Sequence, residues 1–200
     1  MGLGHLAAFL GVSLVVIVTP GQDTALTIRN TLGGGRRGGV LTALGVVSGQ
    51  LTWALAASAG LSAVLLASRP MFTALRLVGA AYLVFLGSQA LLAAVRGRPV
   101  APGGEARRRA CYRQGVLSNL GNPKMVVFFT SLLPQFAASF GGMLVLGLVF
   151  AALTLTWLTL YAFAVARAAS LLLRPRVRRT LDALAGVVLV SFGLRLASER

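Results

Sequence analysis

Residues 119–124 read Asn119-Leu120-Gly121-Asn122-Pro123-Lys124 and interrupt an apolar stretch that runs from 115 to 140. A stretch of this length can cross a bilayer as one helix, because about 20 apolar residues cover roughly 30 Å of hydrocarbon. Proline removes a backbone donor, and Asn122 can cap a new helix that begins at Pro123. This stretch therefore predicts a membrane helix that is broken near its middle, with Lys124, the only lysine of the chain, beside the break.

A second interruption, Thr19-Pro20-Gly21-Gln22-Asp23, divides the apolar stretch 3–32. Here Thr19 can cap a helix with Pro20 at its first position, and Gln22 sits where a capping box places Glu or Gln. Each break is expected to begin a half-helix inside the membrane. The first N–H groups of such a half-helix lack partners, which suits an anion such as a carboxylate.

Asp23 and Lys124 are the charged residues deep within these two stretches. A charge at the centre of a lone span costs about 2.5 to 3.5 kcal/mol, so each side chain is expected to face a partner or a wet cavity. Such residues are functional candidates. A structural ion pair between Asp23 and Lys124, with Asn122 serving only as a cap, would explain the same residues without a binding role.

The composition of the whole chain is that of a membrane protein. Of 200 residues, 56% are hydrophobic and 12% are charged, and the mean hydropathy is +0.83. A soluble domain carries about twice this charged fraction, so the charges are too few to cover a globule. We predict an all-α polytopic membrane protein whose six transmembrane helices, the first and fourth of them broken, occupy 3–32, 41–66, 73–95, 115–140, 143–166 and 181–196.

The basic residues predict the orientation of these helices. The formal net charge is +15, but the arginines lie between apolar stretches rather than on basic faces interleaved with aromatic residues, so no nucleic-acid partner is expected. Most arginines fall in the first, third and fifth loops. The positive-inside rule places those loops in the cytoplasm and both termini outside.

The third loop, 96–113, holds Pro99, Pro102, Gly103 and Gly104 and is predicted to be a flexible cytoplasmic linker. It divides a single transmembrane domain into repeat one, about 1–95, and repeat two, about 114–200. Each repeat has three spans, so the second enters the membrane from the opposite side, which gives two inverted three-helix repeats. Interruptions at corresponding places in two such repeats indicate the binding site of a transporter.

Catalytic and metal chemistry find little support in the sequence. The one cysteine, Cys111, and the one histidine, His5, cannot form a disulfide or a Cys/His metal cluster. We expect no catalytic residue, no metal and no cofactor. An intramembrane enzyme is a weaker alternative, because such sites usually use a histidine, a cysteine or clustered carboxylates, whereas Asp23 is a single deep carboxylate.

Other residues carry weaker signals. Gln50 and Thr52 either line the cavity or make hydrogen bonds between helices. The glycines expected to allow close helix packing are Gly45, Gly49, Gly141, Gly142 and Gly147. The aromatic residues expected to serve as packing or interface anchors are Trp53, Tyr82, Trp157 and Tyr161.

Several of these motifs resemble those of one known family. Pro20-Gly21-Gln22-Asp23 resembles the Pro-Gly-Pro-Asp/Asn signature of the LysE/RhtB family of amino-acid exporters, and Arg29-Asn30 and residues 35–38 resemble the Arg-Asn and Gly-Arg-Arg-Gly runs into which that signature leads. The most specific resemblance, in the fourth stretch, comprises Tyr112-Arg113-Gln114-Gly115, Asn119, Asn122-Pro123-Lys124, Phe128-Phe129 and Leu133-Pro134-Gln135-Phe136. One departure is Gln22, which stands where the family usually has a second proline.

The resemblance implies an exporter of amino acids or close derivatives in the bacterial inner membrane, driven by the proton motive force. Under this hypothesis the substrate carboxylate docks at a half-helix N-terminus, either 20–22 or 122–124, with Lys124 assisting. Asp23 takes the substrate ammonium or the coupling proton. The candidate substrate-binding or coupling residues are Pro20, Gly21, Gln22, Asp23, Gln50, Asn119, Asn122, Pro123 and Lys124.

The partners expected from this hypothesis are an amino acid, protons and the lipid bilayer, and a homo-oligomer is compatible with it. Two alternatives from outside this family remain. A transporter of an inorganic anion or another ion would use the same half-helix ends. A structural membrane subunit would leave two charged breaks at matching positions without an explanation.

Overall fold

The computed structural model describes residues 3–60, 69–96, 105–168 and 175–198, and these residues form helices with short connections and no strand. The helices, in chain order, are α1 (Leu3–Val18), α2 (Gln22–Ser58), α3 (Arg69–Arg96), α4 (Glu105–Leu120), α5 (Pro123–Val127), a π-helical turn (Phe128–Leu132), α6 (Leu133–Phe136), α7 (Phe140–Arg167) and α8 (Pro175–Ser198).

The two breaks lie where the sequence predicts them. The first break (residues 19–21) separates α1 from α2, and the second break (residues 121–122) separates α4 from α5. The predicted linker 96–113 differs from the structure, because its residues from Glu105 onward belong to α4, while 97–104 lie outside the described residues. The arginine-rich end of this loop thus extends the fourth helix.

Helix α2 is a helical hairpin rather than one straight helix. At Gly35 the backbone has φ 64° and ψ −166°, a conformation that glycine adopts without the steric penalty of a Cβ. The first arm (22–34) turns back on the second arm (36–58), and Asn30 Nδ2 donates to Thr42 Oγ1 at 2.9 Å across the hairpin. The second arm is about 35 Å long at 1.5 Å per residue, enough to cross a bilayer, whereas the first arm is about 20 Å.

Helices α2 and α7 are the two described helices that are long and apolar enough to cross a membrane by length and composition. They pack antiparallel along the second arm of α2. Gly39 lies against Ala162 near one end of the pair, and Gly147 lies against Ala54 near the other. The predicted packing role of Gly147 is thus confirmed, whereas a Cβ at Gly141 would meet nothing within 4 Å.

The second arm of α2 also packs closely against α4, and these two run parallel. A Cβ at Gly49 would lie 2.9 Å from the Asn119 Cβ, and a Cβ at Gly45 would collide with the backbone of Tyr112. Gly115 on α4 lies equally close to the backbone of Thr42. Backbones approach this closely only where small residues meet, as the sequence indicates for Gly45 and Gly49.

The broken helices cross so that their two breaks meet. Helix α1 runs antiparallel to α5 and α6: the Phe9 ring lies 5.4 Å from that of Phe136, while Lys124 reaches the carbonyl of Val16. The first arm of α2 runs antiparallel to α4, because Asp23 contacts Ser118 while Asn30 contacts Gln114. The polar residues of both breaks are thereby brought together inside the bundle.

An aromatic cluster packs against the side of this junction that faces α6. The Phe128 and Phe150 rings stack with centroids 4.0 Å apart, and Phe9 and Phe129 complete the cluster. The π-helical turn lies here, just before Pro134, whose missing N–H cannot bond the carbonyl one turn earlier. Away from this cluster, α3 and α8 pair antiparallel through Gly87 and Gly186.

Candidate functional site: the junction of two helix breaks

The first break leaves the new helix without a side-chain cap. Helix α2 begins at Gln22, and Gly21, in an extended conformation, occupies its N-cap position. The prediction that Thr19 caps this helix with Pro20 at the first helical position is wrong. The Thr19 hydroxyl donates instead to the Val15 carbonyl at 2.6 Å, on the helix that ends before the break.

Gln22 does not form a capping box either. It is the first residue of α2, and its Nε2 donates to the main-chain carbonyl of Ser118 at the end of α4. That carbonyl belongs to the last turn of a helix, where no intrahelical donor is available. Gln22 therefore fastens the beginning of α2 to the end of α4.

The second break has the predicted geometry. Asn122 occupies the N-cap position, Pro123 begins α5, and the Asn122 Oδ1 accepts a hydrogen bond from the Lys124 N–H at 3.1 Å. The Asn122 side chain is 4% exposed, and its amide nitrogen donates to Asp23 Oδ2. Both the oxygen and the nitrogen of this amide therefore have hydrogen-bond partners within the protein.

The half-buried Asp23 carboxylate is held by three neutral donors from α4 and the second break. Oδ1 accepts from Ser118 Oγ at 2.9 Å, and Oδ2 accepts from Asn119 Nδ2 at 3.0 Å and Asn122 Nδ2 at 2.9 Å. A carboxylate withdrawn from water needs such donors, because an unpaired one is very costly to bury. Asn119 and Asn122 thus hold Asp23 in place, and Ser118 joins them.

Lys124 is stabilised separately from Asp23. Its ammonium donates to the Val16 carbonyl at 2.8 Å and to the Thr19 carbonyl at 3.1 Å. These groups lie at the C-terminal end of α1, where the helix dipole favours a cation. The hydrogen bonds of the described Asp23 and Lys124 side chains go to other groups and not to each other, so the structural ion pair considered from the sequence is not what holds these two residues.

A narrow cavity of about 20 Å³, with room for about one water molecule, lies at this junction and is lined by both charged residues. We call it the first cavity. Its polar lining comprises Asp23, Thr24, Gln50, Lys124 and Thr154, together with Gly21. Its apolar lining comprises Ile17, Met125, Phe150, Trp157 and Leu158.

Gln50 presents an unused acceptor at this cavity. The side chain is 1% exposed, and its Nε2 donates to Thr154 Oγ1 at 3.1 Å and to the Met125 sulfur at 3.6 Å. Its Oε1 is buried and has no hydrogen-bond partner in the described part of the chain. The same holds for Gln22 Oε1 and Asn119 Oδ1, on two residues that adjoin Asp23 along the chain and in space. Buried acceptors without donors beside a carboxylate suit a cation such as an ammonium group.

The candidate residues therefore separate into two groups. Gly21, Asp23, Gln50 and Lys124 line the first cavity, whereas Gln22, Asn119 and Asn122 are buried behind it and hold its walls. Pro20 is exposed, and Pro123 lines a different cavity. Thr52 is exposed and donates to the Ser48 carbonyl of its own helix, so it does not line the first cavity.

Several lining residues were missed by sequence reasoning. Thr154 and Phe150 reach the cavity from the middle of α7, and a threonine or phenylalanine in an apolar helix carries no signal of its own. Trp157, expected to be a packing residue, also lines the cavity. Ser118 was detectable only by its place beside Asn119. Among the described residues no group of three His, Cys, Asp or Glu side chains could hold a metal ion.

Comparison with known proteins gives a family and several relatives. The family described as LysE type translocator matches residues 14–200. An uncharacterized membrane protein, YrhP, of Bacillus subtilis is 27% identical over 95% of this chain and 97% of its own length. Leucine efflux proteins of Salmonella typhimurium and Salmonella typhi are 31% identical over 62% of this chain and 59% of their own length. No solved structure matches.

Proposed function

This chain belongs to the LysE type translocator family of membrane transporters, and on that premise we propose that it exports amino acids across a bacterial inner membrane by proton antiport. The observation that carries the proposal is the first cavity, where a carboxylate, an ammonium and an unpartnered amide oxygen converge. A free amino acid carries the complementary pair of charges on one carbon atom.

The substrate carboxylate is proposed to bind at the start of α2 beside Lys124. The sequence alone leaves two half-helix N-termini open, and the geometry favours the first. Asn122 already fills the N-terminus of α5, whereas that of α2 has no side-chain cap and Gly21 lines the cavity. A Cβ at Gly21 would lie 3.5 Å from the Lys124 ammonium, so the uncapped end and the cation are neighbours. Together they suit an anion.

The substrate ammonium is proposed to bind between Asp23 and Gln50. Both side chains line the cavity, and Gln50 Oε1 lacks a donor. Asp23 takes either this ammonium or a proton, which couples the outward movement of substrate to the inward movement of a proton. Because Ser118, Asn119 and Asn122 hold the carboxylate by neutral bonds, its ionic partner can change without breaking an ion pair.

The apolar wall favours an uncharged, aliphatic substrate side chain. Ile17, Met125, Phe150, Trp157 and Leu158 offer no charge to pair with a basic or acidic side chain. The name of the Salmonella relatives, leucine efflux protein, agrees with this preference. We therefore propose leucine-like amino acids or their close derivatives as the substrate class.

The transport mechanism is proposed to use two inverted repeats. In support, α1 and the first arm of α2 meet α5 and α4 respectively in antiparallel pairs, so that each repeat contributes one broken helix. The positions of the arginines favour cytoplasmic odd-numbered loops and external termini. Export then moves the substrate from the cytoplasmic side of the junction to the external side.

The proposal is tested by efflux from vesicles preloaded with a mixed pool of labelled amino acids, with and without an imposed proton gradient. We expect gradient-dependent loss of aliphatic amino acids, and we expect Asp23→Asn to reduce it to the level of vesicles without the protein. Thr52→Val, an exposed change outside the cavity, serves as the control with unchanged efflux.

Three outcomes of this experiment contradict parts of the proposal. Gradient-driven efflux that survives Asp23→Asn removes the coupling role of that residue. Movement of basic or acidic amino acids in preference to aliphatic ones removes the assigned substrate class. No movement of any amino acid removes the proposed function, and inorganic anions become the next solutes to test.

A further inference from the structure

Lys124 lies in the wall of a second cavity as well as the first. This second cavity is wider than the first and has a volume of about 420 Å³. It is lined mainly by apolar side chains of α1, α5, the π-helical turn and α8, namely Val16, Pro123, Lys124, Val127, Phe128, Leu132, Phe192 and Arg195. Lys124 is the residue that lines both of these cavities.

The two cavities extend from Lys124 toward opposite ends of the bundle. The second cavity follows the chain from Lys124 through Val127 to Leu132, which is the direction of α6. The first cavity follows α7 from Phe150 to Leu158. Because α7 begins at Phe140, shortly after α6 ends, its later residues lead away from the α6 end. Lys124 therefore stands between two spaces that point in opposite directions.

The bonds of Lys124 tie α5 to α1 at the boundary between these spaces. Its side chain crosses from α5 to the last turn of α1 and donates to the carbonyls of Val16 and Thr19. Carbonyls in the last turn of a helix have no intrahelical donor, so the ammonium satisfies groups that need one. Beyond that turn the chain passes through the non-helical residues 19–21, where no helical hydrogen bonds continue α1 into α2.

We propose that Lys124 is the gate residue between the first cavity and the second, and that the second cavity is the exit route. In the closed form the ammonium holds the end of α1 against the start of α5. A carboxylate arriving beside Gly21 competes with the Val16 and Thr19 carbonyls for the same three N–H donors. When the ammonium transfers to the carboxylate, the end of α1 is released and the solute passes into the second cavity.

This inference relies on the proposed function only for the identity of the solute, and it can be tested without any amino acid. In a Cys111→Ser background, one reporter cysteine is placed in the first cavity as Thr24→Cys and, in a separate protein, one in the second cavity as Leu132→Cys. A membrane-impermeant thiol reagent is applied from each face of oriented vesicles, and the labelling rate is measured. We expect Thr24→Cys to react from one face and Leu132→Cys from the other.

Removing the gate bonds should open the first cavity to the other face. We expect Lys124→Met to raise the labelling of Thr24→Cys from the Leu132 face by at least about tenfold, since two charge-assisted hydrogen bonds are lost. Lys124→Gln, which keeps a neutral donor, should give a smaller increase, and Lys124→Arg should stay near the parent rate. Labelling of Leu132→Cys within about twofold of the parent rate shows that a variant is folded. If Lys124→Met is not folded, the Thr24→Cys labelling rate in Lys124→Gln is used for the test.

Two results would overturn the proposal. One is labelling of both reporters from the same face, which would mean that the cavities do not lead to opposite sides. The other is an unchanged Thr24→Cys rate in both Lys124→Met and Lys124→Gln, which would leave Lys124 as a structural tie for α1. Failure of amino-acid efflux with successful gating would instead reject the proposed substrate and keep the gate.

Discussion

The first break leaves its new helix uncapped, whereas the second break is closed by the side chain of Asn122. The residues beside the first break include the carboxylate of the site, and those in and beside the second break include two amides that hold that carboxylate and the lysine that lines the same cavity. A helix start whose donors are already satisfied can support a structure. One whose donors are free can bind a ligand. The two breaks thus have different roles in one site: the second supports its structure, and the first is available to receive a ligand.

The largest effect that would test this division is expected at Asn122. Asn122→Ala removes the cap of α5 and one donor to Asp23, and should lower the free energy of unfolding by about 2–4 kcal/mol. Asn122→Ser restores a good cap but cannot reach Asp23, so it should recover roughly half of that loss. Thermal unfolding in detergent measures both, and equal losses in the two variants would show that the cap contributes little.

An intermediate effect should separate the two buried glutamines. Gln22→Leu removes a buried bond to the Ser118 carbonyl and should cost about 1–3 kcal/mol of stability with little change in apparent KM. Gln50→Leu removes the unpartnered acceptor at the cavity and should raise the KM for efflux about tenfold with a smaller loss of stability. The opposite pattern would exchange the supporting and receiving roles that we assign to them.

The smallest effect is expected at Thr19. Its hydroxyl makes one exposed bond to the Val15 carbonyl on its own helix, so Thr19→Val should change the free energy of unfolding by less than about 0.5 kcal/mol. A loss comparable with that of Asn122→Ala would mean that the first break depends on a side-chain cap after all. The same thermal unfolding series measures this variant.

The positions of the breaks were predictable because the signals for them are local. Pro123 after Asn122 determines a helix start from neighbouring residues alone, and the structure has that start in the predicted place. Thr19-Pro20 carries the same signal, but Val15 offers the hydroxyl a carbonyl one turn earlier, and that competing local bond prevails. The sequence identifies the break, but whether the hydroxyl accepts from the new helix or donates to the preceding one depends on the geometry of the chain.

The partners of the charged residues were not predictable in the same way. Asp23 and Lys124 are opposite charges at meeting breaks, so an ion pair was a reasonable hypothesis. The crossing of the helices instead brings Ser118 and Asn119 to Asp23 and the end of α1 to Lys124. The cavity wall from α7 depends on packing between distant segments, for which no short stretch of sequence carries a signal.

The distance along the chain between Asp23 and its donors has a consequence for biosynthesis. Ser118, Asn119 and Asn122 are 95, 96 and 99 residues later in the sequence. At a synthesis rate of about 5–20 residues per second, the carboxylate leaves the ribosome roughly 5 to 20 s before the residues that hold it. During that interval the short first arm of α2 needs water or a temporary partner for Asp23. Stable insertion of the N-terminal half is therefore expected only after α4 has been made.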